Sequence, residues 1–320
     1  MIRGLYTAAS GMLALQRRQE TLANNIANIN TPGYKEDEGV LRAFPEQLIA
    51  RIRDKEGISV NGYPVLGGQP VMIGRLHTGV YMPEALPNFR QGDIEQTDNP
   101  YDVALLDNIP PRVEPDGKQT ERRLFFSVAR LADPDNQPVA NPEEIRYTRN
   151  GQWQVNAKGY LVTSDGYYVL DSNNSAIRVN DPQDPEASVG QKLKISETGE
   201  LLAPVPNEPD GTYQSLGAGQ TRLGLKVVTD PNQLVREGNN LYRWAGQQGQ
   251  DQPANAADDP QLNGFYGVKQ GWVERSNVNA TQAMTDMMTV VRAYEANQRV
   301  ISTLDGTLEK AANEIGRVTG

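Results

Sequence analysis

Two apolar heptad repeats, one near each end of the chain, constrain its fold more than any other feature. The N-terminal repeat consists of two series with seven-residue spacing, namely Leu5, Met12, Gln19 and Ile26 and, offset by three, Ala8, Leu15, Leu22 and Ile29. The C-terminal repeat consists of Met287, Tyr294, Ile301, Leu308 and Ile315, interleaved with Ala283, Val290, Asn297, Leu304, Ala311 and Val318. Seven-residue spacing places each set on one narrow stripe of an α-helix. A helix cannot bury such a stripe alone, so each end requires a partner.

We expect the two terminal helices to pair as an antiparallel coiled coil and to pack against copies of themselves. With the β-rich centre described below, this predicts an α+β fold class. Gln19 and Asn297 are polar members of the stripes and would fix the register, unless they face solvent at a frayed edge. The predicted assembly residues are Leu5, Ala8, Gly11, Met12, Leu15, Leu22, Asn25, Ile26, Asn28, Ile29, Met287, Val290, Tyr294, Asn297, Ile301, Leu304 and Leu308.

Gly11 lies inside the first predicted helix, where glycine costs about 1 kcal/mol relative to alanine. Close approach of another backbone would explain it, and a tolerated exposed glycine is the alternative. In the antiparallel arrangement we expect Gly11 to lie close to residue 304 and to face Gly306.

The pattern along the chain predicts five segments. They are an N-terminal helix (1–34) that stops at the Pro32-Gly33 pair, an extended contact arm (35–76) with a short helix at 44–52, a β-rich domain (77–244), a linker and return segment (245–272), and a C-terminal helix (273–320). The segments 107–119 and 133–142 are predicted to be loops, and 245–263 is polar and of low complexity.

The β signal is strongest where apolar residues alternate between turn residues. The segment 152–155 is followed by a turn ending at Gly159, and a second turn at Asp165-Gly166 precedes 167–170. The spacing of Trp153, Val155, Gly159 and Leu161 returns forty residues later as Leu193, Ile195, Gly199 and Leu201. The apolar segment 124–128 predicts a buried strand. An antiparallel, hairpin-rich domain follows.

Composition excludes several classes of protein. The net charge is −9 without a basic cluster, so nucleic acid is an unsuitable partner. The chain has no cysteine, which excludes disulfides and thiolate chemistry. It contains no run of eighteen apolar residues and no signal-peptide pattern at its start, so we expect neither a membrane span nor a cleaved signal.

The sequence offers weak signals for catalysis. The chain has a single histidine, His77, and no serine lies in the nucleophile-elbow motif that a Ser/His/Asp hydrolase would use. The acid pairs Glu143-Glu144 and Asp98 with Asp102 could in principle cleave glycans, yet both lie in turn-like contexts where carboxylates are solvated. Residues 181–184 lack the full pattern of a calcium loop. We expect no enzymatic activity, no cofactor and no metal.

Motifs at both ends and in the centre resemble those of the bacterial flagellar rod and hook family. They are ASGM (9–12), LANNIAN (22–28), TPGYK (31–35), QGDIEQTDNP (91–100), YTRNG (147–151), GYLV (159–162), QG (270–271), SNVN (276–279) and RAYEAN (292–297). Within this family the chain is most similar to proteins of the distal-rod type and to the hook-basal body proteins of Gram-positive bacteria. It departs from the usual pattern by a Pro-rich insertion at 107–123, where Arg123-Leu124 replaces a glycine.

The resemblance implies a structural subunit that polymerises through its terminal helices into a tube transmitting torque from motor to hook. It also implies export by the flagellar type III apparatus, partnership with other rod and hook proteins, and an extracytoplasmic place in the basal body. A hook or proximal-rod subunit is an alternative within the family. Outside it, the alternative is a secreted cell-wall-binding β protein oligomerised through its ends.

Overall fold

The fold is known from a computed structural model, which describes residues 2–45, 47–51, 59–60, 63–64, 71–76, 79–113, 117, 119–135, 139–180, 192–205, 212–216, 221–246 and 252–315. The chain divides into two compact units. Unit 1 comprises Met1–Ile26, Asp37–Leu86 and Ala280–Gly320, and unit 2 comprises Ala27–Glu36 and Pro87–Asn279. His77, the segment 181–184 and Val318 lie outside the described residues.

Two long helices dominate unit 1. Helix α1 is Ile2–Ala27, and helix α2 is Ala280–Lys310, followed by one π-helical turn at Ala311–Ile315. The chain leaves α1 through a turn in which Gly33 has φ +68°, as the Pro-Gly signal predicted. Neither helix is apolar enough over a sufficient length to cross a bilayer.

The rest of unit 1 is a series of nested strand pairs. The strands are β1 (Asp37–Gly39), β2 (Arg42–Ala43), β3 (Gln47–Arg51), β4 (Ser59–Val60), β5 (Tyr63–Pro64), β6 (Val71–Leu76), β7 (Val80–Tyr81) and β8 (Ala85–Pro87). Strand β1 pairs with β8, β2 with β7, β3 with β6, and β4 with β5. The short helix expected at 44–52 is wrong, because residues 47–51 form β3, whose pairing with β6 overrides local helix propensity.

Unit 2 is built of short strands. They are β9 (Ile94–Gln96), β10 (Val103–Asp107), β11 (Arg112–Val113), β12 (Gln119–Thr120), β13 (Arg123–Ala129), β14 (Ile145–Thr148), β15 (Trp153–Val155), β16 (Leu161–Thr163), β17 (Tyr168–Val169), β18 (Lys194–Ile195), β19 (Leu201–Pro204), β20 (Tyr213–Ser215), β21 (Leu225–Val228), β22 (Leu234–Gly238), β23 (Leu241–Trp244), β24 (Ala254–Asn255), β25 (Tyr266–Gln270) and β26 (Trp272–Glu274). The pairings with a described register are antiparallel, as predicted.

Strand β13 is the centre of the largest sheet, where it pairs with β14, β17 and β21. Successive side chains of a strand point to opposite faces. Leu124 and Phe126 accordingly enter one apolar core, and Phe125 enters a second core on the other face. The continuous apolar run of the sequence therefore reflects burial on both faces, which confirms the predicted buried strand.

The two predicted hairpins have equivalent geometry. Val155 pairs with Leu161 across one turn, and Ile195 pairs with Leu201 across the other. Gly159 and Gly199 have φ of +85° and +82°, so both turns need a residue without a Cβ.

Two segments expected to be irregular contain ordered structure. Strands β11 and β12 form a small hairpin within the predicted loop 107–119. In the predicted linker, β24 pairs with β21, short 3-10 helices follow at Ala256–Asp258 and Pro260–Leu262, and Ala256 and Leu262 are buried in the first core. The linker interpretation is wrong for 252–263. The segment is mostly polar, but its few apolar residues, such as Ala256, pack closely in the core and hold it in place.

Candidate functional site

The heptad stripe of α2 is buried or half-buried at each position from Ala283 to Ala311. Ala283 and Val290 are buried, and the later members as far as Ala311 are half-buried, whereas most residues between them are exposed. On α1 the predicted stripe is likewise buried or half-buried, with Ala8 and Leu22 the least exposed members. Asn28 and Ile29 follow the end of α1, belong to unit 2 and are half-buried.

Two glycines of α1 mark where α2 approaches it. A methyl group on Gly4 would lie 3.4 Å from Leu304 Cδ1, and one on Gly11 would lie 3.3 Å from Asn297 Nδ2. Seven residues forward on α1 thus correspond to seven residues backward on α2, so the helices run antiparallel at these positions. The expected contact of Gly11 with residue 304 is wrong by one heptad, and a methyl group on Gly306 would meet no atom within 4 Å.

Helix α1 has a second buried face that the heptad pattern did not predict. The buried side chain of Asn25 donates to Asp37 O at 2.9 Å and accepts from Asp37 N at 3.0 Å. Arg17 donates to Met82 O at 2.8 Å. The nested strands of unit 1 therefore cover this face. Asn25, predicted as an assembly residue, makes its observed hydrogen bonds within its own chain.

Unit 1 nevertheless leaves much apolar surface uncovered. Of the fourteen large apolar side chains that are clearly exposed in the described part of the chain, ten belong to this unit. On the helices they are Tyr6 (66% exposed), Leu13 (65%), Met284 (50%), Met288 (59%) and Val300 (47%). Most of the clearly exposed large apolar side chains in the described ranges therefore belong to unit 1.

A second feature that sequence reasoning missed is a cluster of four charged side chains in unit 2. Lys35 Nζ lies 2.6 Å from Glu274 Oε1, and Arg149 Nε lies 2.9 Å from Glu274 Oε2. Arg149 Nη1 also lies 2.9 Å from Asp107 Oδ2. None of these side chains is more than 1% exposed. Two cations and two anions balance, which lets the charges remain buried.

Backbone groups complete the hydrogen bonding of this charge cluster. Arg149 donates to Leu124 O at 2.6 Å, and Lys35 donates to Arg90 O at 2.6 Å. Gly92 N donates to Glu274 Oε1 at 2.9 Å, and Leu124 N donates to Asp107 Oδ2 at 3.0 Å. The charges are therefore satisfied by both opposite charges and backbone dipoles, the condition under which a buried network is rigid.

The charge cluster perturbs its own titration. The pKa of Lys35 is lowered to about 8, mainly by burial and next by the neighbouring guanidinium of Arg149, against the attraction of Glu274. Burial alone would raise the pKa of Glu274, but Arg149 and Lys35 outweigh burial and hold it below its ordinary value. The pKa of Arg149 is raised, because Glu274 and Asp107 outweigh the effect of its burial.

Three of the sequence motifs contribute residues to this charge cluster, and a fourth bonds to the residue next to Lys35. Lys35 ends TPGYK, Arg149 is central in YTRNG, and Gly92 belongs to QGDIEQTDNP. Asn277 of SNVN accepts a hydrogen bond from Glu36 N at 2.7 Å. A methyl group on Gly33 would lie 2.5 Å from Asn150 N, so only glycine permits this approach of the two motifs.

The candidate acid pairs differ from each other. Glu143 and Glu144 are exposed, in agreement with solvated carboxylates. Asp98 is exposed but Asp102 is 2% exposed, so the expectation that both are solvated is wrong for Asp102. Asp102 is buried because it follows a tight turn, where it accepts from Asn99 Nδ2 at 3.0 Å. Within the described ranges, no group of three or more His, Asp and Glu side chains is arranged to hold a metal ion.

Sequence models of known protein families match both ends and the centre of the chain, where the motifs lie. The sequence model "Flagella basal body rod protein" matches residues 5–35, "Flagellar basal body rod FlgEFG protein C-terminal" matches 269–314, and "Flagellar hook protein FlgE/F/G D1 domain" matches 137–203. The chain is 37% identical over 319 residues to the flagellar hook-basal body complex protein FlhO of Bacillus subtilis, covering 99% of this chain and 100% of that protein. The chain belongs to the flagellar basal-body rod family.

Other members of the rod family are similar over nearly the same length. The flagellar basal-body rod protein FlgG of Borreliella burgdorferi is 30% identical, with 98% of each chain covered. FlgG of Bacillus subtilis is 28% identical, with 98% of this chain and 99% of that protein covered. The resemblance inferred from the terminal motifs is confirmed, and the chain is a structural protein of the flagellar rod family.

Proposed function

We propose that this rod-family chain polymerises through its terminal helices into a tubular axial structure that transmits torque from motor to hook. The observation that carries the proposal is the division of apolar surface on α1 and α2. One stripe on each helix is buried or half-buried and would face the other helix, whereas a second set of large apolar side chains remains exposed.

The inward stripe pairs the helices. The contacts of Gly4 with Leu304 and of Gly11 with Asn297 support an antiparallel coiled coil with a seven-residue repeat. Asn297 is the polar member at one of these contacts and would penalise a shift of register. The predicted assembly residues of the two stripes would therefore act first within one chain.

The outward residues are proposed to bind neighbouring copies. In the observed register Tyr6 of α1 lies opposite the C-terminal part of α2 and Leu13 lies opposite its middle, whereas Met284 and Met288 lie near the start of α2. The two pairs thus lie at different levels of the helical pair. Contacts between unlike patches are head-to-tail, and head-to-tail contacts that do not close build a helical array.

The family supports the remaining parts of the proposal. Other rod and hook proteins would be the axial neighbours, and the flagellar type III apparatus would export the chain without signal cleavage to an extracytoplasmic place in the basal body. The protein would act as a scaffold with no catalytic step. The charged residues of the charge cluster pair with one another, which suits a role in the stability of unit 2.

Two measurements test this function. Purified full-length chain should form filaments above a critical concentration, and a chain lacking residues 283–320 should form none because the partner of α1 is removed. The same deletion should fail to restore swimming in a strain lacking the gene, which the full chain restores. A deleted chain that restores swimming would disprove polymerisation through the helices. Binding of glycan by a full-length chain that never forms filaments would favour the cell-wall alternative.

A further inference from the structure

The contacts between α1 and α2 fit two alignments of the helices, one heptad apart. In the observed alignment Gly4 lies beside Leu304 and Gly11 lies beside Asn297. A shift of α1 by seven residues would place Gly11 opposite Leu304, the contact that the heptad pattern predicted. The observed contact of Gly4 with Leu304 shows that a leucine packs on a glycine of α1. Packing of a large residue on a glycine therefore suits both alignments.

The shifted alignment also keeps a helical partner along the whole of α1. In the observed alignment Ile2 lies opposite residue 306, and α2 with its π-helical turn continues to Ile315. After the shift Ile2 would lie opposite residue 313, which is still within this helical segment. The length of α2 therefore does not exclude the shifted alignment.

The polar residues of the stripes separate the two alignments only weakly. Asn297 is half-buried beside Gly11 in the observed alignment. After the shift it would lie opposite Arg18 and next to Gln19, the polar member of the α1 stripe, and both of these side chains are half-buried. They offer the amide of Asn297 hydrogen-bonding partners. The contact with Gly11 therefore gives the observed alignment only a small advantage.

Unit 2 holds together the two segments of the chain that lead to the helices. Gly33 N donates to Glu274 O at 2.7 Å, and the side chains of Lys35 and Glu274 pair at 2.6 Å. Glu36 N donates to Asn277 Oδ1 at 2.7 Å. These contacts define a clasp, formed by residues 33–36 and 274–277. The clasp aligns the two segments antiparallel to each other, as the helices are aligned.

The connections from the clasp to the helices are short and of similar length. Helix α1 ends at Ala27, eight residues before Lys35, and α2 begins at Ala280, six residues after Glu274. In the observed alignment Ala27 lies opposite residue 281, so α1 ends where α2 begins. Two short connections of similar length require this arrangement of the helix ends.

The connections also contain little slack. On the α1 side, Thr31 N donates to Asn28 O at 3.1 Å, and Tyr34 N donates to Thr31 O at 3.2 Å. On the α2 side, Arg275 N donates to Asp93 O at 2.8 Å. Seven residues of helix span about 10 Å. The α1 connection would have to lengthen by this distance in the shifted alignment, and its hydrogen bonds would break.

We propose that the clasp selects the alignment of α1 and α2. The short connections transmit its contacts to the helices and add to the small preference that the helices have themselves. The clasp thereby gives every copy of the chain the same offset between the exposed residues Leu13 and Met288. Identical contacts throughout a helical array need this uniformity. The use in assembly rests on the proposed function, whereas the alignment is a property of the single chain.

The test uses full-length chains with one cysteine on each helix, because the natural sequence has none. Gly4→Cys is combined in turn with Asn297→Cys, Leu304→Cys or Ala311→Cys, and each chain is oxidised mildly at a concentration where it is monomeric. A disulfide requires Cα atoms within about 7 Å of each other, so each pair reports one alignment. We expect the parent background to form only the disulfide between positions 4 and 304.

Seven glycine and serine residues inserted after Ala27 lengthen the α1 connection and leave the clasp intact. The population of the shifted alignment should then rise about tenfold or more, measured as the disulfide between positions 4 and 311. The same insertion after Gly117, between β11 and β12, is the control and should give the parent pattern. Asn277→Ala removes one contact of the clasp at constant chain length and should raise the same disulfide to a smaller extent. Urea unfolding checks that the chains remain folded.

Three outcomes would overturn the proposal. They are the absence of the disulfide between positions 4 and 311 from both variants, its presence in the parent chain, and the loss of every disulfide from a folded chain with the insertion after Ala27. A chain that gives the expected disulfides but never forms filaments would refute the proposed function and support the role of the clasp.

Discussion

Lys35 and Glu274 are 239 positions apart in the sequence, and their side chains form a 2.6 Å ion pair with no exposure to solvent. Lys35 follows α1 along the chain, and Glu274 precedes α2. The two segments that lead from unit 2 into the terminal helices are therefore fastened to each other and, through Arg149 and Asp107, to the central strands of unit 2.

Glu274→Gln should destabilise unit 2 strongly. The change leaves Lys35 and Arg149 buried with one carboxylate between them, and breaking a buried pair in this way costs about 3–5 kcal/mol. Urea unfolding of the full chain measures the loss. Glu237→Gln is the matched control, because Glu237 pairs with Arg146 and Arg243 at the surface and should cost at most about 1 kcal/mol. Equal losses in the two variants would show that the charge cluster has no special role.

The stability of unit 2 should rise with pH between about 8 and 10.5. The pKa of Lys35 is about 8 in the folded chain and 10.5 ordinarily, so within this interval the unfolded chain binds more protons at Lys35. The free energy of unfolding then gains at most about 1.4 kcal/mol per pH unit. The difference between the parent chain and Lys35→Met, measured by urea unfolding across this interval, isolates the effect from the tyrosines. A difference that is independent of pH would contradict the lowered pKa.

Acid should destabilise the chain through Glu274, so here too stability rises with pH. Its pKa is lowered in the folded chain, so its contribution is complete above the ordinary value of 4.5 and is lost as the pH falls through the lowered pKa. Unfolding curves of the parent chain and of Glu274→Gln should therefore converge at low pH. Curves that remain parallel down to the acid transition would exclude Glu274 as a source of acid sensitivity.

Gly306→Ala should stabilise the chain more than Gly11→Ala does. Both changes gain about 1 kcal/mol of intrinsic helix propensity. At Gly11 the new methyl group lies 3.3 Å from Asn297 Nδ2 and must displace that side chain, whereas at Gly306 it meets nothing. Thermal unfolding should therefore show stabilisation at Gly306 and less or none at Gly11. Gly11→Leu should abolish the pairing of the helices and with it filament growth, and filaments of normal yield would refute close packing there.

Charges on the exposed faces of the helices should stop polymerisation without unfolding the chain. Leu13→Glu and Met288→Glu place a carboxylate where the side chain is 65% or 59% exposed, so little folded structure depends on either residue. Sedimentation should show monomers at concentrations where the parent chain forms filaments. Val139→Glu, at a residue of unit 2 that is 56% exposed, is the control and should assemble normally. Assembly by all three variants would argue against these faces as contacts.

The sequence predicted which stripes of the helices are buried, and it could not predict how the stripes are aligned. A heptad repeat is nearly unchanged by a shift of seven residues, so Gly11 opposite residue 304 and Gly11 opposite Asn297 satisfy the same pattern. The decision depends on individual side chains, such as Asn297 packed on a residue without a Cβ. A fit between two particular side chains does not appear as a repeat in the sequence.

The second face of α1 and the charge cluster were missed for a different reason. Asn25 bonds to the backbone of Asp37, and any sequence provides such a backbone partner, so nothing marks it in advance. Asp107 and Glu274 each end an apolar strand and are buried, which is a usable signal, but their cations Arg149 and Lys35 are remote in sequence. The one sequence signal for these cations is that each lies in a family motif.

Strand β13 carries one further consequence. Leu124 and Phe126 fill one core while Phe125 fills the other, so an insertion or deletion of a single residue there would send every following side chain into the wrong compartment. In the hairpin of β11 and β12 just before it, Thr120 is the one buried residue of the two strands, so a change of length there displaces little of either core. Insertions and deletions in relatives of this chain should therefore accumulate in that hairpin, whereas the number of residues in β13 should stay constant.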